Sequence, residues 1–102
     1  MCTVTELGTT IQLTAGGELD VAALPVLRDA AARAPLALGR VVVLDLCGAT
    51  FADSTVVHFA IELDRRAQAR GSELVVVTSS ETRELFRLVG ENGLRVVEDR
   101  HR

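Results

Sequence analysis

Asp53 and Ser54 stand side by side just ahead of an amphipathic stretch, and His58 follows Ser54 by four residues. Residues four apart share a face of a helix, so Ser54 and His58 could form a nucleophile and its base. No G-x-S-x-G elbow or positioned third carboxylate accompanies them, and a histidine on a solvated helix turn is the simpler reading. Asp53-Ser54 also reads as a helix N-cap, whose side-chain oxygen accepts a bond from a first-turn N–H and contributes about 1 kcal/mol. Glu18 and Asp20 form a second acidic group, in a turn, with Asp20 suited to cap the segment after it. Asp45 lies near the end of an apolar strand, where α/β folds often carry functional groups. A carboxylate phosphoacceptor there would need an acidic pair for Mg²⁺ and a late lysine, and the chain has no lysine. The missing lysine also excludes the usual phosphate-binding loop and Schiff-base chemistry. Two distant histidines and two distant cysteines offer no metal-ligand spacing, and no cofactor is expected.

The elements that would position these residues follow from the hydrophobic pattern. Thr3 to Leu7 reads as an edge strand broken by Gly8. Residues 9–14 alternate polar and apolar, as a half-buried strand does. Ala15-Gly16-Gly17 reads as a turn. Leu24, Leu27, Ala30, Ala31 and Ala34 recur at helical spacing, with Pro25 tolerable only in the first turn. Val41 to Leu46 is the strongest strand, and its four consecutive apolar residues predict a central strand covered on both faces. Cys47 to Ala52 reads as a connection. A helix from about residue 55 to 70 would bury Val56, Ala60, Leu63 and Ala67, widened by Val57 and Ile61, with Gly71 as its C-cap. Glu73 to Val77 is a second buried strand. Ser79 or Ser80 caps a third helix, 81–89, with Leu85, Leu88 and Val89 inward and Gly90 at its end. Leu94 to Val97 is a last strand, and 98–102 a loose charged tail.

The order β-β-α-β-α-β-α-β implies one α/β domain over residues 1–102: a four- to five-stranded mixed sheet with right-handed crossovers and helices mainly on one face. At 102 residues, 48% hydrophobic and 25% charged, the chain is globular and has one modest core. The net charge is −3, and no basic stripe appears, so nucleic acid is not an expected partner. Arg65, Arg66 and Arg70 make only a small patch, diluted by Glu62 and Asp64. Apolar runs fall far short of the roughly 20 residues that cross a bilayer. No signal pattern opens the chain, and Cys2 and Cys47 read as reduced thiols, so a cytoplasmic protein without membrane insertion is expected.

Three features in this order resemble the STAS domain family. Gly17-Glu18-Leu19-Asp20 is similar to its GELD segment. The apolar strand ending in Asp45-Leu46 is similar to its central strand. Phe51-Ala52-Asp53-Ser54-Thr55 is similar to its F-x-D-S-[ST] turn. The resemblance implies an anti-sigma factor antagonist, a non-enzymatic bacterial regulator of transcription. It implies phosphorylation at Ser54, with Thr55 as the alternative acceptor. It also implies an anti-sigma factor serine kinase of the GHKL type as partner, and a phosphatase that resets the switch. The partner-binding surface it implies comprises Glu18, Asp20, Asp53, Ser54, Thr55, Val56, Val57 and His58. Where the family usually continues Gly-Leu-Gly, this chain has Val56-Val57-His58, a bulkier docking surface. Two rivals remain open: a STAS subunit of another assembly, such as a stressosome or a lipid-transport complex, and a small hydrolase using Ser54 and His58.

Overall fold

The computed structural model describes residues 1–89 and 93–99. Strand β1 spans Cys2–Leu7 and β2 Thr10–Leu19. A 3₁₀ turn, Val21–Ala23, leads into α1, Leu24–Arg33. Then come β3, Val41–Ala52; α2, Ser54–Ala69; β4, Glu73–Thr78; α3, Ser80–Val89; and β5, Arg95–Glu98. They form one five-stranded sheet in the order β1-β2-β3-β4-β5. β1 runs antiparallel to β2, and the other neighbours are parallel. The mixed α/β architecture expected from the sequence is therefore present, with strands 41–46 and 74–77 central and parallel.

The topology puts the helices on one face. Each crossover from β2 onward steps one strand the same way, and right-handed crossovers of that kind leave their helices on the same side. Burial agrees. Ile11, Leu13, Ala15, Val42, Leu44, Leu46, Leu74, Val76 and Thr78 point into the helical side and are buried. The residues between them, including Val43, Val75 and Val77, are only half-buried. β3 is thus covered on one face, not both. An unbroken apolar run cannot report a period of two, and outward valines shelter one another across the strands, as Val43 does with its register partner Val75.

The core is built as expected around α1 and α2: Leu27, Ala30, Ala31 and Ala34 from the first, and Val56, Val57, Phe59, Ala60, Leu63 and Ala67 from the second. Pro25 falls in the first turn of α1. Gly71 closes α2 at φ +78, the left-handed region that side chains resist, and a Cβ there would also lie 3.1 Å from the Leu38 Cα. Arg28 reaches Glu62 through two 3.2 Å hydrogen bonds that tie α1 to α2. Ser72, buried, donates to the Ala37 carbonyl at 2.7 Å and accepts from its N–H at 3.1 Å, fixing the loop before β3.

Several expectations are corrected. Ala15-Gly16-Gly17 is not a turn but continues β2, and Cys47–Ala52 is not a connection but continues β3. Leu88 is 73% exposed. Phe86 and Thr82, four residues apart on one side, take the inner face of α3, with Leu85 half-buried beside them. Cys2 opposes Ala15 in the sheet, and neither cysteine is in a disulfide. Glu98 belongs to β5, and the Asp99 N–H donates to the Thr78 carbonyl at 2.9 Å, so the chain is held through residue 99. The Val89 side chain, Gly90 and residues 100–102 lie outside the described residues.

Candidate functional site

The site is built by two strands that outrun their sheet. β3 pairs with β4 only as far as Asp45 opposite Val77. β2 and β3 go on alone, pairing Gly16 with Gly48, Gly17 with Ala49, Glu18 with Phe51 and Leu19 with Ala52, with register shifts between Thr14 and Gly16 and between Gly17 and Glu18. Glycines line this ribbon at two places. Gly16 packs directly on Gly48, so that a Cβ on it would just touch the Gly48 oxygen at 3.4 Å. Gly17 takes φ +84 at the second irregularity, the left-handed region that side chains resist.

The ribbon delivers two helix starts side by side. Leu19, buried, anchors it, and its carbonyl accepts from the Asp53 N–H at 3.5 Å. Asp20 then caps the 3₁₀ turn, its Oδ1 accepting from Ala22 N–H at 3.0 Å. Asp53 caps α2, its Oδ1 accepting from Thr55 N–H at 2.9 Å. Both residues have the same extended backbone, φ −112 and −125 with ψ −169 in each. A carboxylate at this position answers the free N–H groups and the partial positive charge of the helix end.

Asp53, then, is the cap, and Ser54 is the first helical residue. Ser54 is exposed, Thr55 half-buried and His58 exposed. Nothing among the described residues hydrogen-bonds the Ser54 hydroxyl. No hydrogen bond joins Ser54 to His58 there either, and the Asp53 carboxylate is engaged with the backbone. Val56 and Val57 are wholly buried, so the bulkier docking surface expected from them is absent; they hold the helix start onto the core from beneath. Asp45 sits mid-strand on the sheet face away from the helices, where its Oδ1 accepts from Cys47 N–H at 2.9 Å; it does not join this end of the molecule.

The structure adds two surface residues that the site reading had left out. Phe51, opposite Glu18 in the ribbon, is 52% exposed, and Val21, next to Asp20, is 71% exposed. Phe51 also walls a cleft of about 210 Å³ with Ser79, Glu81, Thr82 and Leu85 of the α3 start. That is smaller than the few hundred Å³ usual for a small-molecule site. Among the described residues, Glu18, Asp20, Asp53 and Glu81 are in no ion pair, so this end is acidic with apolar patches. The described residues contain no cluster of three metal-ligating side chains and no helix long and apolar enough to cross a membrane.

A family model described as "Mlab, STAS domain" matches residues 2–98. Among solved structures, the anti-sigma factor antagonist SpoIIAA in its unphosphorylated form matches with a TM-score of 0.76 over 99% of this chain and 90% of that one. The identity is 17%, so the likeness is one of fold. No curated protein matches the sequence.

Proposed function

The chain belongs to the STAS domain family, and from that premise we propose that it is an anti-sigma factor antagonist switched by phosphorylation of Ser54. Unphosphorylated, it binds an anti-sigma factor that is also a serine kinase of the GHKL type, releasing a sigma factor in the cytoplasm. Glu18, Asp20, Asp53, Ser54, Thr55 and His58 rim the contact. The kinase supplies the ATP, the chain does no chemistry of its own, and a separate phosphatase resets it. The observation that carries this reading is the Ser54 hydroxyl: exposed at the first position of α2, and relieved of capping by Asp53. Phosphate there adds about −1.5 to −2 charges. The N–H groups of the helix end accommodate it, so the fold persists. A partner packed against the same end meets that charge beside Asp53, and repulsion and desolvation oppose binding.

The test is incubation of the chain with a candidate kinase and ATP, followed by mass spectrometry and binding measurements. One phosphate on Ser54, retained binding but no modification in Ser54→Ala, and at least about tenfold weaker binding in Ser54→Asp are expected. If a kinase that binds the chain modifies neither Ser54 nor Thr55 and binds Ser54→Asp as tightly as wild type, the switch is excluded. The second reading, a subunit of another assembly with Ser54 unmodified, is favoured by the family model's own description, which names Mlab.

A further inference from the structure

We propose that His58 is the counter-charge for a phosphate on Ser54, an imidazolium that pairs with it one turn along α2 and makes the switch sensitive to pH. The inference rests on the reading of Ser54 as the modified residue and goes beyond it. Ser54 and His58 are both exposed and lie four residues apart in α2. Positions four apart are neighbours on one face of a helix. Helical side chains lean toward the N-terminus, so His58 leans over the turn that begins at Ser54. The Ser54 hydroxyl does not bond the ring, but a phosphate there carries three strong acceptor oxygens further from the backbone. Among the described residues His58 is in no hydrogen bond or ion pair.

The carboxylates along this row already have partners. Glu62, four residues beyond His58, takes two hydrogen bonds from Arg28 of α1. Asp53 accepts from the Thr55 N–H and Asp20 from the Ala22 N–H. The Glu62 contact also shows which way the row faces: Ser54, His58 and Glu62 run along the α1 side of α2. The other charged residues of α1, Asp29 and Arg33, pair with each other. The strands beneath α2 turn only uncharged side chains toward it. α3 follows β4 and lies across α2 from the row, with its charged residues. Glu18 and Glu81 add exposed negative charge to the same end and form the background in which a phosphate ionises. Histidine ordinarily titrates at about pH 6.5, and phosphoserine loses its second proton at about pH 6. The two groups thus carry opposite charges most fully between about pH 6 and 7, where the imidazolium offsets about half of the dianion. As pH rises through the imidazole's midpoint, its proton leaves and the full negative charge returns. A partner repelled by that charge is excluded more strongly at about pH 8 than at about pH 6.5.

The full chain synthesised with phosphoserine at position 54 tests the pairing by phosphorus NMR titration, and no kinase is needed. Exposed ion pairs at this helical spacing set the scale. The second ionisation of the phosphate is expected to be about two- to fivefold stronger with His58 present than in His58→Gln, a midpoint about 0.3–0.7 pH units lower. The helix end and the nearby carboxylates act on the phosphate alike in both chains, so the difference reports His58. His58→Arg, charged at every pH, is expected to keep the low midpoint, and about 0.5 M sodium chloride to remove most of the difference. One midpoint shared by the His58 chain and His58→Gln overturns the proposal. So does a His58→Arg chain that matches His58→Gln, since charge is then not what acts. The phosphate is placed by synthesis, so a null result here overturns the pairing alone, whereas a bound kinase that leaves Ser54 unmodified overturns the switch alone.

Discussion

The two halves of β3 differ in little but their neighbours. From Val41 to Asp45 the strand is paired on both sides, by β2 and β4. Val42, Leu44 and Leu46 there are fully buried. From Cys47 to Ala52 the same strand continues with β2 as its only partner, and no residue of that half is fully buried. The second neighbour and the helical cover are withdrawn, and two register shifts against β2 break the regular ladder. The inner half is therefore held by burial and the outer half by hydrogen bonds and glycine geometry. That division leaves the outer half free to carry exposed Glu18, Phe51 and Ser54 to one end of the molecule without disturbing the core.

Stability should divide the same way. Leu44→Ala removes a fully buried side chain from the inner half and should cost about 2–5 kcal/mol by urea denaturation, with Leu63→Ala similar. Against a total of about 5–15 kcal/mol that is a large share of the margin. Phe51→Ala deletes a larger side chain from the outer half, yet about half of it already faces water, so a cost of about 1 kcal/mol or less is expected. Equal losses at Leu44 and Phe51 would show that the ribbon is core. An effect between those two is expected at Gly17. Its φ of +84 forces a side chain into the left-handed region, and Gly17→Ala should cost about 1–2 kcal/mol although no atom lies within 4 Å of the new Cβ. A neutral Gly17→Ala melt would mean that the ribbon relaxes freely and does not fix the site.

The same division decides what could be read from the sequence. The inner half is legible because Val41 to Leu46 is an uninterrupted apolar run, and α2 because its apolar residues recur at helical spacing. The outer half is not, since Gly16-Gly17 and Gly48 have the composition of turns; pairing between two strands far apart in sequence made them a ribbon. The open face of the sheet was hidden for a related reason: alternation vanishes when outward positions are also valine. Asp53, Ser54 and Asp20 were legible as helix starts from side-chain chemistry alone. Which of Asp53 and Ser54 caps was settled by the backbone, which turns extended at Asp53 and helical at Ser54. Val56 and Val57 carried two expectations at once, core and docking surface, and the helix phase grants only the first. Phe51 was visible within the motif, but its exposure depends on β4 stopping short of it.

Within the outer half, the cap and the serine beside it should behave differently. Asp53→Ala removes the acceptor for Thr55 N–H at the start of α2 and should lower stability by about 1 kcal/mol, measured by thermal or urea melts. Asp53→Asn, which keeps a side-chain acceptor, should recover most of it. A silent Asp53→Ala would mean that another group, Ser54 included, can cap the helix in its place.

The smallest expected effect is the most discriminating. Ser54→Ala should stay within about 0.5 kcal/mol of wild type, since the hydroxyl holds nothing among the described residues. Ser54→Asp adds a carboxylate to the first turn of α2. There the helix end attracts it by about 0.3–1 kcal/mol, partly offset by repulsion from the neighbouring Asp53 carboxylate. The net expectation is a melt unchanged or raised by a few tenths of a kcal/mol. The same substitution should weaken partner binding, because the partner faces that charge across a surface already acidic with Glu18, Asp20 and Asp53. Stability and binding would then move independently, or in opposite directions, at one residue, which no side chain of the inner half can do. If Ser54→Asp instead loses 1 kcal/mol or more in the melt, Ser54 is part of what holds α2 in place. Weaker binding by that variant would then report a damaged helix start rather than a charge set against a partner.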